Sequence, residues 1–259
     1  MTRPSYVDKT IASAHPAAER FHAAALAAGQ PGLAEYIAAL RSVGIPLPPG
    51  LVVQQGPGLS VRHRWVNGPT LSDLATHEPE QFVVSVDRIL GWIRALDGAD
   101  ARIDTNLANF CHTPRGPILV DVLPPWRPSL APPPPRSLFE DLFTALCFDT
   151  EVQLDAVVGY AARTLLASTV PHGVRRSLAD AVTAARPDLV GGSNPPFPAG
   201  WFWARARLAV AVLRGEQDVC VLHEFFAATS VLGFRALLED QRQRRLPRVT
   251  EMITREVPR

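Results

Sequence analysis

Three polar residues near the middle of the chain have side chains and a spacing suited to metal-assisted chemistry. In the run RIDTNLANFCHTPRGPILVDVL, Asp104 precedes Asn109 by five positions, and Asp121 follows Asn109 by twelve. Carboxylate and amide oxygens are the ligands that a hard cation such as Mg²⁺ prefers. A further carboxylate in the same site could orient a hydroxyl group and accept its proton. The spacing alone is common by chance, because loop Asp and Asn residues usually form turns and caps.

The elements around these residues are expected to bring them together. A helix with one buried face is predicted before them, since apolar residues recur at intervals of 4, 3, 4 and 3 at Phe82, Val86, Ile89, Ile93 and Leu96. This helix should end near Asp97 and Gly98. The following RIDTNLANF is predicted as a polar, turn-rich loop with Leu107 and Phe110 as apolar anchors. PILVDVL (117–123) is predicted as an apolar strand that runs into Asp121.

The first part of the chain reads as a small α/β lobe over residues 1–66. SYVDKTI (5–11) alternates like a short strand, and the Ala-rich stretch 16–41 predicts one or two helices that break near Gly29 to Gly32. The segments LVVQQ (51–55) and LSVRHRWV (59–66) predict a hairpin around Gly-Pro-Gly.

The remainder, residues 67–259, is predicted to be a larger, mainly helical lobe. Its proline-rich segment 124–136 holds seven prolines and should cross the surface as irregular, extended chain. Ser137 and Glu140 have the spacing of a capping box at the start of the next helix. Further helices are expected at about 151–168, 173–185, 199–215 and 218–243, the last two amphipathic. The expected fold class is therefore α+β.

The spacing of Asp104, Asn109 and Asp121 resembles the catalytic loop and the metal-binding aspartate of the aminoglycoside and choline kinase-like phosphotransferases, which have a bilobal protein-kinase-like fold. The resemblance implies that Asp104 orients and deprotonates an attacking hydroxyl, and that Asn109 and Asp121 hold Mg²⁺. It also implies ATP or another nucleoside triphosphate as the donor. The expected acceptor is a hydroxyl or amine of a small metabolite, in specialised metabolism or antibiotic modification, because no activation segment is recognisable after Asp121.

The small lobe adds further parts of the same resemblance. Lys9, in the V-x-K of SYVDK, would bind the nucleotide phosphates. Its acidic partner would be Glu35, because EYIAALRSVGIPLPP resembles the helix αC of the family with its IPxP turn, and Glu19 is the alternative. HRWVNGPTL (63–71) resembles the hinge between the lobes, whose backbone would meet adenine at Arg64, Trp65 and Val66. An exposed strand lysine and an ordinary strand-to-helix turn are the simpler interpretations.

The chain departs from the family pattern in ways that keep other functions open. Only eight residues precede Lys9, so the usual hairpin with its glycine loop does not fit before it. Asn106, the second catalytic candidate, stands where kinases carry Lys and aminoglycoside-type enzymes carry His. Arg102 and Ile103 replace the usual pair before the aspartate. One alternative is a catalytically inactive, pseudokinase-like binding or scaffold protein, and another is a nucleotide-dependent enzyme that transfers a different group.

Composition restricts partners and location. Lys and Arg total 26 against 25 Asp and Glu, a formal net charge of +1, so no overall field favours nucleic acid or an anionic membrane. No apolar stretch is long enough for a membrane span, and a soluble cytoplasmic protein is expected. The isolated cysteines Cys111, Cys147 and Cys220 argue against a disulfide framework and a zinc cluster. The sequence does not predict the oligomeric state.

Overall fold

The computed structural model of the protein describes residues 5–11, 18–56 and 58–256. In these residues the protein is a mixed α+β structure with many helices and two small antiparallel sheets, which confirms the expected α+β class. The kinase-like bilobal arrangement stays a prediction. The expected helix start at residues 16–17 and Pro57 of the expected hairpin turn lie outside the described residues.

The first sheet is built from three short strands and carries one long helix. Strands β1 (Tyr6–Thr10), β2 (Val52–Val53) and β3 (Ser60–Arg64) are ordered β1-β3-β2, and Lys9 lies opposite Val61. The predicted strand at 5–11 and the predicted hairpin are therefore confirmed. On the exposed face Arg62 donates two hydrogen bonds to Asp8, at 2.7 and 3.0 Å.

Helix α1 (Glu19–Ser42) links β1 to β2 and contains the predicted break. Gly29 has φ 63°, a left-handed conformation that a residue with a side chain rarely adopts, and Pro31 follows it inside the helix. The second half of α1 packs its buried residues Leu33, Tyr36 and Leu40 into the same core as Leu59 and Val61 of the sheet region.

The middle of the chain forms two helices and a hairpin. Helix α2 (Leu71–His77) precedes α3 (Pro79–Ala95), and all five predicted core residues on or just after α3 are fully buried, which confirms its apolar face. Strands β4 (Phe110–Thr113) and β5 (Gly116–Leu119) then pair antiparallel. The run 102–110 was expected to be loop, and only its last residue, Phe110, lies in a strand; β4 itself was not predicted. It pairs with the apolar β5, an interaction between segments that local polarity does not reveal.

The C-terminal part contains more helices than expected. It comprises α4 (Leu138–Phe148), α5 (Thr150–Leu165), α6 (His172–Ala185), α7 (Ala199–Leu213), α8 (Val219–Ala228), α9 (Val231–Arg235) and α10 (Glu239–Glu256). The single helix predicted at 218–243 is wrong, because Ser230 caps a new helix by accepting a hydrogen bond from Gly233 N–H at 3.1 Å. Ser137 does cap α4, accepting from Glu140 N–H, but the Glu140 carboxylate accepts from Arg136 N–H rather than from Ser137.

Helix α7 forms the centre of the helical core and is not amphipathic as predicted. Every residue from Gly200 to Leu213 is buried, including Arg205 and Arg207. Arg205 donates to the Thr229 carbonyl oxygen at 2.8 Å and stacks over the Phe226 ring at 4.0 Å. Arg207 donates to the Gly192 carbonyl oxygen. These partners allow two cations to lie on a helix that contacts protein on all sides.

One continuous apolar core joins the two parts of the chain. It includes Leu33 and Val61 from the first part and Ile89 and Val157 from the second. The predicted division after residue 66 falls in the connection between β3 and α2. No helix among the described residues is long and apolar enough to cross a membrane.

Candidate functional site

The loop that carries Asp104 is held in place by buried side chains on both sides. Arg102, which is almost fully buried, donates to the carbonyl oxygens of Leu96 at 2.9 Å and Ala99 at 2.8 Å. The Tyr36 hydroxyl of α1 donates to the Arg102 carbonyl oxygen at 2.7 Å. Gln153 of α5 donates to the Ile103 carbonyl oxygen at 2.8 Å. The backbone entering Asp104 is therefore fixed from the small sheet's helix and from the helical core.

Asp104 lies half-buried at the start of the loop and faces both of the other candidate residues. Burial raises the pKa of Asp104, and the negative charge of Asp121 raises this pKa further. Hydrogen bonds from the Asn106 N–H, at 2.9 Å, and from the Asn109 side chain oppose this rise. Asp104, Asn109 and Asp121 are therefore brought into one site, although 17 positions separate the two acids.

The hairpin β4–β5 places Asn109 beside Asp121. The Val120 N–H donates to the Asn109 carbonyl oxygen at 2.8 Å, which continues the strand pairing one step beyond Phe110 and Leu119. β5 ends at Leu119, two residues before Asp121 and four before the end of the predicted strand 117–123. Asp121 accepts a hydrogen bond from Leu123 N–H at 3.2 Å. Asp121 is thus held at the mouth of the hairpin, where the chain leaves the sheet.

Lys9 reaches this site from the other sheet. Its ammonium lies 3.1 Å from Asp121 Oδ2 and donates to the Val120 carbonyl oxygen at 3.0 Å. The predicted partner was Glu35, and this is wrong: Glu35 pairs with Arg127 at 2.7 Å. The alternative, Glu19, is exposed at the first turn of α1. Lys9 therefore neutralises the predicted metal-binding acid directly.

Asn106 has a structural role in the loop. Its side chain accepts from Ala108 N–H at 3.1 Å and caps the short 3₁₀ turn Leu107–Asn109, while the residue itself is exposed. This contact explains why an Asn suits the position, since an Asn side chain readily closes such turns. A catalytic role for Asn106 stays a prediction.

The segment that resembles a hinge already uses two of its backbone donors. Arg64 N–H donates to the Pro49 carbonyl oxygen at 2.9 Å, and Trp65 N–H donates to the Ser5 carbonyl oxygen at 3.2 Å. Val66 is buried, whereas the Trp65 side chain is 44% exposed. The expected adenine contact at Arg64, Trp65 and Val66 stays a prediction, and in this structure the first two N–H groups are engaged within the protein.

A cavity of about 590 Å³ opens beside Lys9 and Asp121. The cavity is lined by the last three residues of β1 and the residue after them. The start of α1, the segment after Asp121, and one residue each of α4 and α9 complete the lining. The described lining comprises Asp8, Lys9, Thr10, Ile11, Ala18, Phe21, His22, Asp121, Leu123, Pro124, Trp126, Phe143 and Arg235. Phe21 and His22 were missed by sequence reasoning, because the Ala-rich stretch that contains them predicts only a helix.

The side-chain oxygen atoms at this site suit a hard divalent cation whose remaining ligands are phosphate or water. Asn109 and Asp121 offer oxygen atoms. The pKa of Asp104 is raised first by burial and further by repulsion from Asp121, and a bound cation would relieve this repulsion. Among the described residues, no group of three His, Cys, Asp or Glu side chains could hold a metal alone. Mg²⁺ suits such a site, because it usually binds through one or two carboxylates plus phosphates and water.

The glycine loop that covers phosphates in kinases has no counterpart in the part of the chain that the structure describes. Among the described residues β1 is the first strand, and its one neighbour there in the sheet is β3. Gly56, in the only Gly-Pro-Gly run, accepts a hydrogen bond from the Gln30 side chain at 3.0 Å and belongs to the turn between β2 and β3. Lys9 is thus the cation that this sheet presents to Asp121.

Comparison of the chain with protein-family models, with curated proteins and with solved structures finds no match in any of the three.

Proposed function

We propose that the protein is an ATP-dependent phosphotransferase that acts on a hydroxyl or amine of a small metabolite. The observation that carries the proposal is the convergence of Asp104, Asn109, Asp121 and Lys9 from separate elements, with Lys9 and Asp121 also lining a cavity. Phosphoryl transfer requires an acid to orient the acceptor, oxygen ligands for Mg²⁺ and a cation near the phosphates. Each of these parts has a candidate in this site.

The residues divide these tasks according to their surroundings. Asp104, with its raised pKa, would accept the proton of the acceptor hydroxyl as the acceptor oxygen bonds to the γ-phosphorus of ATP. The bond from that phosphorus to its bridging oxygen breaks, and ADP leaves. Asn109 and Asp121 would hold Mg²⁺, which supplies positive charge to the phosphates. Lys9, now paired with Asp121, would add a second cation on the same side.

The proline-rich segment supports a small acceptor. Pro124 and Trp126 line the cavity, while the carbonyl oxygens of Pro133 and Pro134 accept hydrogen bonds from Arg20 of α1 at 2.9 and 3.4 Å. The segment therefore supplies one wall of the cavity at its beginning and is fastened to α1 further on. A fixed wall favours recognition of a compact molecule over that of an extended protein chain.

One set of observations favours the alternative of a pseudokinase-like binding protein. Lys9 is occupied by Asp121, and the hinge-like donors Arg64 N–H and Trp65 N–H bond within the protein. A site that has lost turnover could be stabilised by such internal contacts. The two functions differ in a single respect, because only an enzyme transfers phosphate from a bound nucleotide.

A transfer assay separates them. The wild-type protein and Asp104→Asn are incubated with γ-³²P-labelled ATP, Mg²⁺ and a panel of sugars, nucleosides, amino alcohols and hydroxy acids, with casein as a protein acceptor. The proposal expects label on a small acceptor with wild type and almost none with Asp104→Asn. Label only on casein, or equal transfer by both proteins, would contradict it. Nucleotide binding without any transfer would favour the pseudokinase alternative.

A further inference from the structure

The wall of the cavity beside Asp121 contains a fixed aromatic cluster. The rings of Phe21 and Phe143 meet edge to face at 4.7 Å between centroids, and Trp126 meets Phe143 in the same way at 5.8 Å. Edge-to-face packing holds each ring in a defined orientation. The cluster therefore offers a rigid apolar wall to a flat or ring-shaped group of a ligand.

The charges that line the cavity leave a positive group uncompensated. The two acids of the lining are both ion-paired, Asp8 with Arg62 at 2.7 Å and Asp121 with Lys9 at 3.1 Å. Arg235, at the end of α9, also lines the cavity. Its backbone carbonyl accepts from Arg242, but no residue in the described ranges makes a hydrogen bond or ion pair with its guanidinium. Among its described lining residues, the cavity thus has one cation without a partner, Arg235, and no carboxylate without one.

His22 adds a polar atom that lacks a partner. His22 is partly buried on α1, and the residue lines the same cavity. Its Nε2 atom is buried and has no hydrogen-bond partner among the described residues. Buried polar atoms are nearly always hydrogen-bonded, so one without a protein partner marks a place where a water or ligand can bind. A ligand oxygen would satisfy the N–H of the imidazole tautomer protonated at Nε2.

We propose that this cavity is the acceptor site of the transferase and selects a hydroxylated aromatic acid, whose ring packs on the aromatic wall and whose anionic group binds Arg235 and His22. This inference rests on the proposed function. The volume of about 590 Å³ is in the range of small-molecule sites. The preferred charge is opposite to that of an amino sugar or choline, for which a cavity with free carboxylates would be expected.

Three probes of matched shape test the charge preference. 4-Hydroxyphenylacetate, tyrosol and tyramine share a phenol ring and a two-carbon side chain but end in a carboxylate, an alcohol and an ammonium. Binding of each is measured by calorimetry without nucleotide, using wild type, Arg235→Gln, Arg235→Lys and the control Arg176→Gln, an exposed arginine that lines a different cavity. Melting curves verify that every variant is folded.

The expected result is that wild type binds 4-hydroxyphenylacetate at least about tenfold more tightly than tyramine, the scale of one charge-assisted hydrogen bond. Arg235→Gln should remove the preference, while Arg235→Lys and Arg176→Gln keep it. Equal or tighter binding of tyramine, an unchanged preference in Arg235→Gln, or no binding of any probe would overturn the inference. Anion-selective binding in a protein without transferase activity would support the ligand preference of the cavity and contradict the proposed function. An active transferase that accepts only cationic substrates would contradict the preference for an aromatic acid.

Discussion

Asp104 lies in surroundings that disfavour its ionised carboxylate. Burial and the facing charge of Asp121 both raise its pKa, so the folded protein disfavours its ionised form. Hydrogen bonds from Asn106 N–H and Asn109 hold the carboxylate in place. An acid with a raised pKa is a better proton acceptor than an ordinary aspartate once it is ionised.

The kinetic prediction is that Asp104→Asn lowers kcat about 10²–10⁴-fold, the usual contribution of an acid–base group, while the affinity for ATP changes little. The amide keeps the size of the side chain and can still accept from Asn106 N–H, so the loop should retain its shape. Asp87→Asn, on the exposed face of α3, is the matched control and should keep wild-type kcat. Wild-type kcat in Asp104→Asn would remove Asp104 from the mechanism.

The same residue gives a prediction about stability and pH. Because the folded-state pKa of Asp104 lies above the ordinary aspartate value of 3.8, the folded protein binds this proton more tightly than the unfolded chain does. The contribution of Asp104 to the free energy of unfolding therefore falls as the pH rises from below 3.8 through the raised pKa. Asp104→Asn should melt at a higher temperature than wild type at pH 7, and this difference should vanish near pH 3. A lower melting temperature at pH 7 would show that the carboxylate stabilises the fold.

At the scale of elements, packing between α5 and α8 depends on the absence of a side chain at one position. A Cβ built on Gly159 of α5 would lie 2.8 Å from the Phe226 ring of α8, whereas one on Gly91 of α3 would meet nothing within 4 Å. Both glycines lie inside helices, where alanine is intrinsically favoured by about 1 kcal/mol. Alanine at either position should therefore gain the same helix propensity, but only alanine at position 159 would clash with Phe226.

We expect Gly91→Ala to raise the free energy of unfolding by about 0.5–1 kcal/mol. Gly159→Ala should lower it, by up to about 2 kcal/mol, because overpacking costs about 1–3 kcal/mol and exceeds the helix benefit. Urea denaturation of both variants measures the difference. Equal stabilisation by the two alanines would mean that Phe226 moves aside freely.

Arg127 joins the helix of the small sheet to the loop that precedes Asp104. It pairs with Glu35 of α1 at 2.7 Å and with Asp100 at 2.7 Å, and Asp100 also accepts from Ser129. We call the pairs of Arg127 with Glu35 and Asp100 the Arg127 clamp. Tyr36, next to Glu35, donates to the Arg102 carbonyl, so the clamp acts on the same backbone that positions Asp104.

Removal of the clamp should loosen α1 without unfolding the protein. Glu35 is largely exposed, so its pair with Arg127 contributes little to global stability. We predict that Arg127→Gln speeds amide hydrogen exchange in the second half of α1 and in residues 100–102. Arg62→Gln, which breaks the exposed pair with Asp8, should leave exchange there unchanged. Identical exchange in wild type and Arg127→Gln would show that core packing alone fixes α1.

Sequence reasoning was most effective where local pattern determines the outcome. Apolar spacing located α3, and the Gly and Pro residues located the break in α1, because these depend on nearby residues. The ion pairs could not be predicted from the sequence, because they depend on how α1 is oriented in the fold. In that orientation Glu35 pairs with Arg127, and Lys9 pairs with Asp121. α7 was wrongly predicted to be amphipathic, because Arg205 is buried and its partner, the Thr229 carbonyl, lies 24 residues away in the chain.

For the whole molecule, the first sheet and the helical part meet at the candidate site. Lys9 of β1 contacts Asp121, and Leu119 N–H of β5 donates to the Pro46 carbonyl oxygen at 3.0 Å. A common apolar core continues beneath these polar contacts. A nucleotide bound beside Lys9 would therefore contact both parts. On binding of Mg²⁺ and nucleotide, the direct Lys9–Asp121 ion pair would be replaced, with Asp121 binding the metal and Lys9 binding phosphate.

The measurement that tests this account most directly is a calorimetric titration of ATP with and without Mg²⁺ into wild type, Asp121→Asn and the control Asp87→Asn. The account predicts that wild type and Asp87→Asn bind ATP, and that Mg²⁺ strengthens this binding. In Asp121→Asn the gain from Mg²⁺ should be lost, because the amide no longer supplies a charged ligand. Absence of ATP binding to the wild type under both conditions, or the same gain from Mg²⁺ in Asp121→Asn, would contradict the assignment of this site to a phosphotransferase.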